Sequence, residues 1–172
     1  SYLGPALQQS PSITIKDSKA AFNDGLVKLT WRVNAKNTFR LMGFTSSDDF
    51  RYAQDFGYNW QNYQLAAAWN RVHSDRFFTK IHLSYGAYRA EQIDPEGNDA
   101  FALRNGLNNV KLKIDNVLSA GTAHALRIGA EGSQYFAKPE ALRPLSDISV
   151  FLPEQVSKDN GREFAVYAQD EI

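Results

Sequence analysis

Asp48, Asp49, Arg51, Tyr58 and Trp60 lie in one short stretch, DDFRYAQDFGYNW (48–60), which also carries Phe50, Tyr52, Asp55 and Phe56. Rings present flat apolar faces on which a sugar or a peptide can stack, and the carboxylates and guanidinium orient polar groups. The mixture suits holding a ligand better than making or breaking bonds. Arg51, Tyr58 and Trp60 are the residues expected to do the holding, with Asp48 and Asp49 beside them. The two acids could also receive a hard cation such as calcium through carboxylate oxygens. Adjacent acids in a loop are more simply solvated, so no metal or cofactor site is expected.

Signatures of catalysis are missing from the sequence. His73, His82 and His124 fall in a turn, in a strand centre and at a strand start, with no spacing that converges on a metal. There is no G-x-S-x-G elbow, no phosphate-cradling glycine loop and no dinucleotide fingerprint. Zero cysteines remove thiol nucleophiles, thiolate sites and disulfides together. The balance of 19 basic and 19 acidic residues lacks the excess that nucleic acid selects. An enzyme is not expected.

The elements that position the 48–60 stretch are strands. Phe77, Thr79, Ile81, Leu83, Tyr85 and Ala87 alternate with Phe78, Lys80, His82, Ser84, Gly86 and Tyr88, the period of two that a strand between unlike environments requires. The same alternation runs through 26–33, 63–70, 110–115 and 124–131, and more weakly through 38–44 and 163–170. Seven strands are predicted. Tight turns NAKN (34–37), HSDR (73–76) and SAGT (119–122) alternate with long stretches at 45–62, 89–106 and 134–162. In an antiparallel order this places every short turn at one end and every long connection at the other.

That asymmetry, with two bands of aromatic residues, favours an all-β, antiparallel up-and-down transmembrane β-barrel segment. It would have about seven strands, short periplasmic turns and long extracellular loops. One band comprises Trp31, Phe39, Trp69 and Phe77. The other comprises Phe44, Trp60, Tyr63, Tyr85, Tyr88, Tyr135 and Phe136. Leu83 and Leu112 are then lipid-facing. Lys28, Arg32, Lys80, Lys111, Lys113, Arg127 and Glu131 line the lumen, pairing with one another or with a plug. A soluble up-and-down barrel or sandwich shares the period but gives no reason to sort connections by length. No run of about 18 apolar residues exists to form a helical span. The start, SYLGPALQQS, does not read as a signal peptide, so a cytoplasmic chain or a mature or internal piece is expected.

SYL (1–3), FNDGLVKLTWRVNAKNTFRLMGFTSSDDF (22–50), WNRVHSDRFFTKIHLSYGAY (69–88) and REFAVYAQDEI (162–172) together resemble part of a TonB-dependent outer-membrane receptor of the Bacteroidetes type. The matching positions are Asn34, Lys36 and Asn37 in an N-x-K-N turn, the acidic pair Asp48 and Asp49, and Glu163, Tyr167, Asp170 and Glu171 in an E-x-x-x-Y-x-x-D-E strand. The resemblance implies residues 1–172 within one outer-membrane β-barrel domain, with the plug domain and remaining strands absent. It implies a receptor in the bacterial outer membrane that takes up an external nutrient: an oligosaccharide, a peptide or a metal chelate. The implied partners are outer-membrane lipid, the plug of the same full-length chain, the TonB energy-coupling complex and a surface lipoprotein. A non-transporting outer-membrane binding or adhesion barrel, or a soluble β-rich binding protein, is the alternative.

Overall fold

The computed structural model describes residues 8, 9, 11, 12, 15 and 17–172, apart from 54, 96 and 122 and the side chain at 140. The SYL string and the last residue of the SAGT turn lie outside the described residues. The chain is one antiparallel meander: β1 (Lys19–Asn34), β2 (Asn37–Tyr52), β3 (Phe56–Ser74), β4 (Phe77–Asp94), β5 (Phe101–Ala120) and β6 (His124–Pro144), each paired with the next. The two-residue β7 (Glu154–Gln155) and the long β8 (Asp159–Glu171) both pair with β6. The seven predicted strands are the seven long ones. β1 pairs only with β2 and β8 only with β6 among the described residues, so two edges stay open.

Two-residue turns close one end, at Ala35–Lys36 between the paired Asn34 and Asn37 and at Asp75–Arg76 between Ser74 and Phe77. The first is fixed by its own side chains. Asn34 Oδ1 accepts from the Lys36 backbone N–H at 2.9 Å and from Asn37 Nδ2 at 3.0 Å, an asparagine folding back on its own turn. Trp69 Nε1 donates to Asn37 Oδ1 at 3.1 Å, tying the next hairpin to it. At the third tight connection Gly121 sits at φ 78°, where a side chain would be strained.

At the opposite end the long connections are built differently from the expected loops. Most of 45–62 is strand, as β2 and β3 run on to Tyr52 and Phe56, and most of 89–106 is strand in β4 and β5. β6 likewise continues through Pro144. Hydrophobic alternation marks a strand only while one face must be apolar. Beyond that zone Ser46, Ser47, Asn59, Gln61 and Asn62 put polar groups on both faces, and ladder hydrogen bonds, joined by cross-strand side-chain contacts, carry the strand onward. At about 3.3 Å per residue a strand of this length exceeds the 9–11 residues that a tilted transmembrane strand needs. The excess projects beyond the apolar zone as β-ribbon.

A single sheet has no second layer, and the burial reflects this. Ala100, Ala102 and Val117 are the buried apolar residues described, whereas Trp31 is 69% and Phe164 79% exposed. The small tip formed by Ala100 and Ala102 is covered by the segment after β6. There the Leu145 N–H donates to the Ala100 carbonyl at 3.0 Å, and the Phe101 and Phe151 rings meet edge to face at 5.3 Å. Elsewhere the apolar face must be covered by something other than this chain's own packing.

Candidate functional site

Register sorts every strand residue to one of two faces. Trp31, Phe39, Trp69, Ile81, Ile114, Ala130 and Val166 form one cross-strand row, and Leu29, Leu41, Ala67, Leu83, Leu112, Gly132 and Phe164 form the next. This is the apolar face, and it holds Leu83 and Leu112 as expected. On the other face a row runs Thr30, Arg40, Ala68, His82, Lys113, Glu131 and Ala165. Here Glu131 bridges Lys111 at 3.0 Å and Lys113 at 3.5 Å, the internal pairing anticipated for lumen-side charges. The Lys113 ammonium also lies 5.0 Å from the centre of the Tyr167 ring, whose hydroxyl donates to Asp115.

The 48–60 stretch is split by the same rule. Asp48, Tyr58 and Trp60 stand on the polar face, while Asp49 and Arg51 stand on the opposite one, because Asp48 pairs with Trp60 and Phe50 with Tyr58. The five predicted residues therefore do not form one cluster. Asp49 accepts a 3.4 Å hydrogen bond from Asn59 on its own face, and the two adjacent acids cannot share a cation. No group of three potential metal-ligating residues occurs among the described residues.

What the polar face gathers instead is an aromatic ladder. Tyr58 and Trp60 stack at 5.5 Å with rings 6° from parallel, Phe56 meets Tyr58 edge to face at 5.6 Å, and Tyr52 stacks on Phe56 at 5.4 Å. Phe50 leans on Phe56 at 6.4 Å. The flanking strands place Ala20 beside Phe50 and Ala90 beside Trp60, so small side chains border the ladder. Asp48, directly opposite Trp60, supplies a carboxylate. Phe50, Tyr52 and Phe56 thus join the site while Arg51 and Asp49 leave it. Counting in twos from Tyr58 would have found them once the stretch was read as strand.

The upper aromatic band is also divided. Tyr63, Tyr85 and Phe136 lie on the apolar face, whereas Phe44, Trp60, Tyr88 and Tyr135 lie on the polar one. The lower band is coherent: Trp31 and Phe39 are 6.3 Å apart, and Phe39 and Trp69 stack at 6.0 Å. Motif positions in β8 are structural. Glu163 accepts from the Tyr135 hydroxyl at 3.0 Å, Tyr167 donates to Asp115, and Asp170 pairs with His124 at 2.8 Å.

No protein-family model and no curated protein matches the sequence. Solved structures share the fold. The copper transporter OprC superposes with a TM-score of 0.68 at 13% identity, over 88% of this chain and 26% of that one. The translocator domain of the autotransporter NalP from Neisseria meningitidis superposes with a TM-score of 0.50 at 12% identity, over 88% of this chain and 53% of that one. The chain spans about a quarter of the transporter's length. Its fold is that of outer-membrane β-barrel wall: an antiparallel up-and-down sheet, apolar on one face and charged on the other.

Proposed function

We propose that this chain is part of an outer-membrane receptor barrel that takes up an external nutrient, and that the ladder Tyr52–Phe56–Tyr58–Trp60 is where the nutrient first rests. The observation that carries the reading is the position of the ladder. It continues the charged face, which looks into the lumen in a barrel, and it lies on the ribbon beyond the apolar zone, opposite the tight periplasmic turns. A ligand arriving from outside meets it before the passage. Stacked rings with a carboxylate at one end suit an oligosaccharide or a peptide, and a metal chelate with an organic shell would use the same surface.

The order and spacing of the N-x-K-N, acidic-pair and E-x-x-x-Y-x-x-D-E motifs support a TonB-dependent receptor, of the Bacteroidetes type they resemble. A structural neighbour named as a copper transporter is in keeping with a role in transport. In such a receptor the plug of the full-length chain fills the lumen against Lys28, Arg32, Lys80 and Arg127, which have no ion pair among the described residues. The TonB complex acts through that plug, and a surface lipoprotein meets the projecting ribbons. Transport itself distinguishes this from an adhesion barrel, which would hold its ligand on the same ladder and pass nothing.

Replacing Tyr58 and Trp60 together with alanine in the native polypeptide tests the site. Each stacked ring contributes about 1 kcal/mol beyond its buried area, so calorimetry should show affinity for the imported nutrient falling roughly tenfold or more. Folding should be unaffected. Unchanged affinity would remove the ladder from the binding site.

A further inference from the structure

We propose that the apolar face carries a binding site for the phosphate of a lipid headgroup, centred on Arg89 and Lys138 at the outward edge of the apolar zone. The inference rests on the membrane placement above but not on any transported ligand.

Tyr63, Ala87 and Phe136 share a row on the apolar face, and the row immediately beyond it reads Gln61, Arg89, Gly106 and Lys138. Aromatic side chains at a barrel's edge mark the boundary between hydrocarbon and headgroups. Arg89 and Lys138 therefore stand at headgroup level. They flank a hollow of about 500 Å³ that Arg104 and Lys158 also line. Four cations thus face one described carboxylate, Glu91, which is already engaged by Arg104. Arg89, Lys138 and Lys158 have no ion pair among the described residues and are exposed.

Backbone geometry shapes the hollow. Gly106 separates Arg89 from Lys138 in the row, and a Cβ there would come within 3.1 Å of the Tyr88 carbonyl and 3.8 Å of the Lys138 Cβ. With two inter-strand steps between them, the two basic residues start about 10 Å apart, a span that both can close on one phosphate. β6 gains a residue at this point, since Arg104 pairs with Ala141 but Gly106 with Lys138. The bulge falls at Pro139, where proline's missing N–H does least harm, and it bends the strand away from the flat ladder.

A second feature decides between a lipid and a free anion. Nearer the tight-turn end on the same face, Val27, Leu29, Leu41, Leu65, Leu83 and Val110 line an apolar groove of about 440 Å³ over the small residues Gly43 and Ala67. A groove for acyl chains with a cationic hollow toward the outward edge of the same face matches an amphiphile with a phosphorylated head. Free phosphate would have no use for the groove.

The test counts lipids retained by the native polypeptide in native mass spectrometry from detergent micelles. Phosphatidic acid and diacylglycerol, which differ in the phosphate alone, are the probes. Retention of phosphatidic acid but not diacylglycerol is expected. Arg89→Gln with Lys138→Gln should reduce it roughly twentyfold, at about fivefold per basic residue near an anionic headgroup. Lys28→Gln with Lys80→Gln removes the same charge from the other face and should change nothing. Millimolar inorganic phosphate should not compete. Equal retention of both lipids, an undiminished double variant, or displacement by phosphate would each overturn the site. A polypeptide that stays in solution without detergent would instead remove the membrane placement before any lipid is counted.

Discussion

Two aromatic clusters, one at each end of the sheet, use the same chemistry on opposite faces. Near the tight turns Trp31, Phe39 and Trp69 form a row of rings on the apolar face, with Phe39 stacked on Trp69 and Trp69 also hydrogen-bonded to the turn through Asn37. On the projecting β2–β3 ribbon, Tyr52, Phe56, Tyr58 and Trp60 form an equally continuous ladder on the polar face. An amphipathic ring facing outward at the edge of the apolar zone anchors the wall. On the proposed function, an equivalent ring facing the lumen beyond that zone has no hydrocarbon to meet and is open to a ligand. On that proposal, side rather than composition separates scaffold from candidate site.

Reversing the environments of the two faces should give the largest effect. Leu83→Arg places a guanidinium in the middle of the apolar face, where a charge near mid-membrane costs about 2–4 kcal/mol. Lys80→Gln, three residues away on the polar face, removes a charge that has no ion pair among the described residues and should cost little. Denaturant titration of the native polypeptide refolded into vesicles checks the pair. Equal tolerance at the two positions would mean that the apolar face does not meet lipid, and the anchoring role of the Trp31 row would fall with it.

Two glycines on β6 sharpen the comparison with a smaller effect. Gly129, on the polar face, lies beneath the Tyr167 ring, and an added side chain would collide with ring atoms. Gly132, on the apolar face, would place a Cβ 3.8 Å from Phe164, an ordinary contact. Gly129→Val should therefore displace Tyr167 from Asp115 and from Lys113, at about 1–3 kcal/mol for an overpacked position. Gly132→Val should be near neutral. The same denaturant titration reads both, with tyrosine fluorescence reporting the displaced ring. If Gly132→Val proved the costlier substitution, the packing assigned to the polar face would be wrong.

The transmembrane part of this fold was legible from the sequence because unlike environments force alternation. Phe77 to Ala87 shows both faces plainly, and all seven long strands were recognised from that signal. The ribbons were not legible for the same reason. Asp48, Asp49, Asn59 and Gln61 make the stretch polar, and the period of two in Phe50, Tyr52, Phe56, Tyr58 and Trp60 is broken between Tyr52 and Phe56, so this part of the strand pair looks like loop. Reading 45–62 as loop then brought Arg51 together with Tyr58 and Trp60. A strand register separates them. The ring-rich composition of 48–60 pointed to the segment that carries the ring ladder, and only pairing could say which rings share a face. The basic hollow was less accessible still, since Arg89 and Lys138 are 49 positions apart and meet only through β5.

The smallest expected effect concerns what fixes the end from which both faces are counted. Asn34 holds its turn by accepting from the Lys36 N–H and from Asn37, and Asn37 in turn accepts from Trp69. Asn34→Ala removes two exposed hydrogen bonds, each contributing about 0.5–1.5 kcal/mol at most when buried and less in water. The register of β1 against β2 is set at a two-residue turn, and a one-residue slip would carry every side chain of β1 to the wrong face. Such a slip is opposed by the whole length of the ladder, from Arg32 and Thr38 to Lys19 and Arg51. A loss of about 1 kcal/mol with the ligand ladder intact is therefore expected. Cross-linking of cysteines introduced at Leu29 and Leu41, which face each other across the strands, would report the register directly. Lost cross-linking in Asn34→Ala would show that the turn, and not the hydrogen-bonded length of β1 and β2, decides which β1 side chains face the lumen.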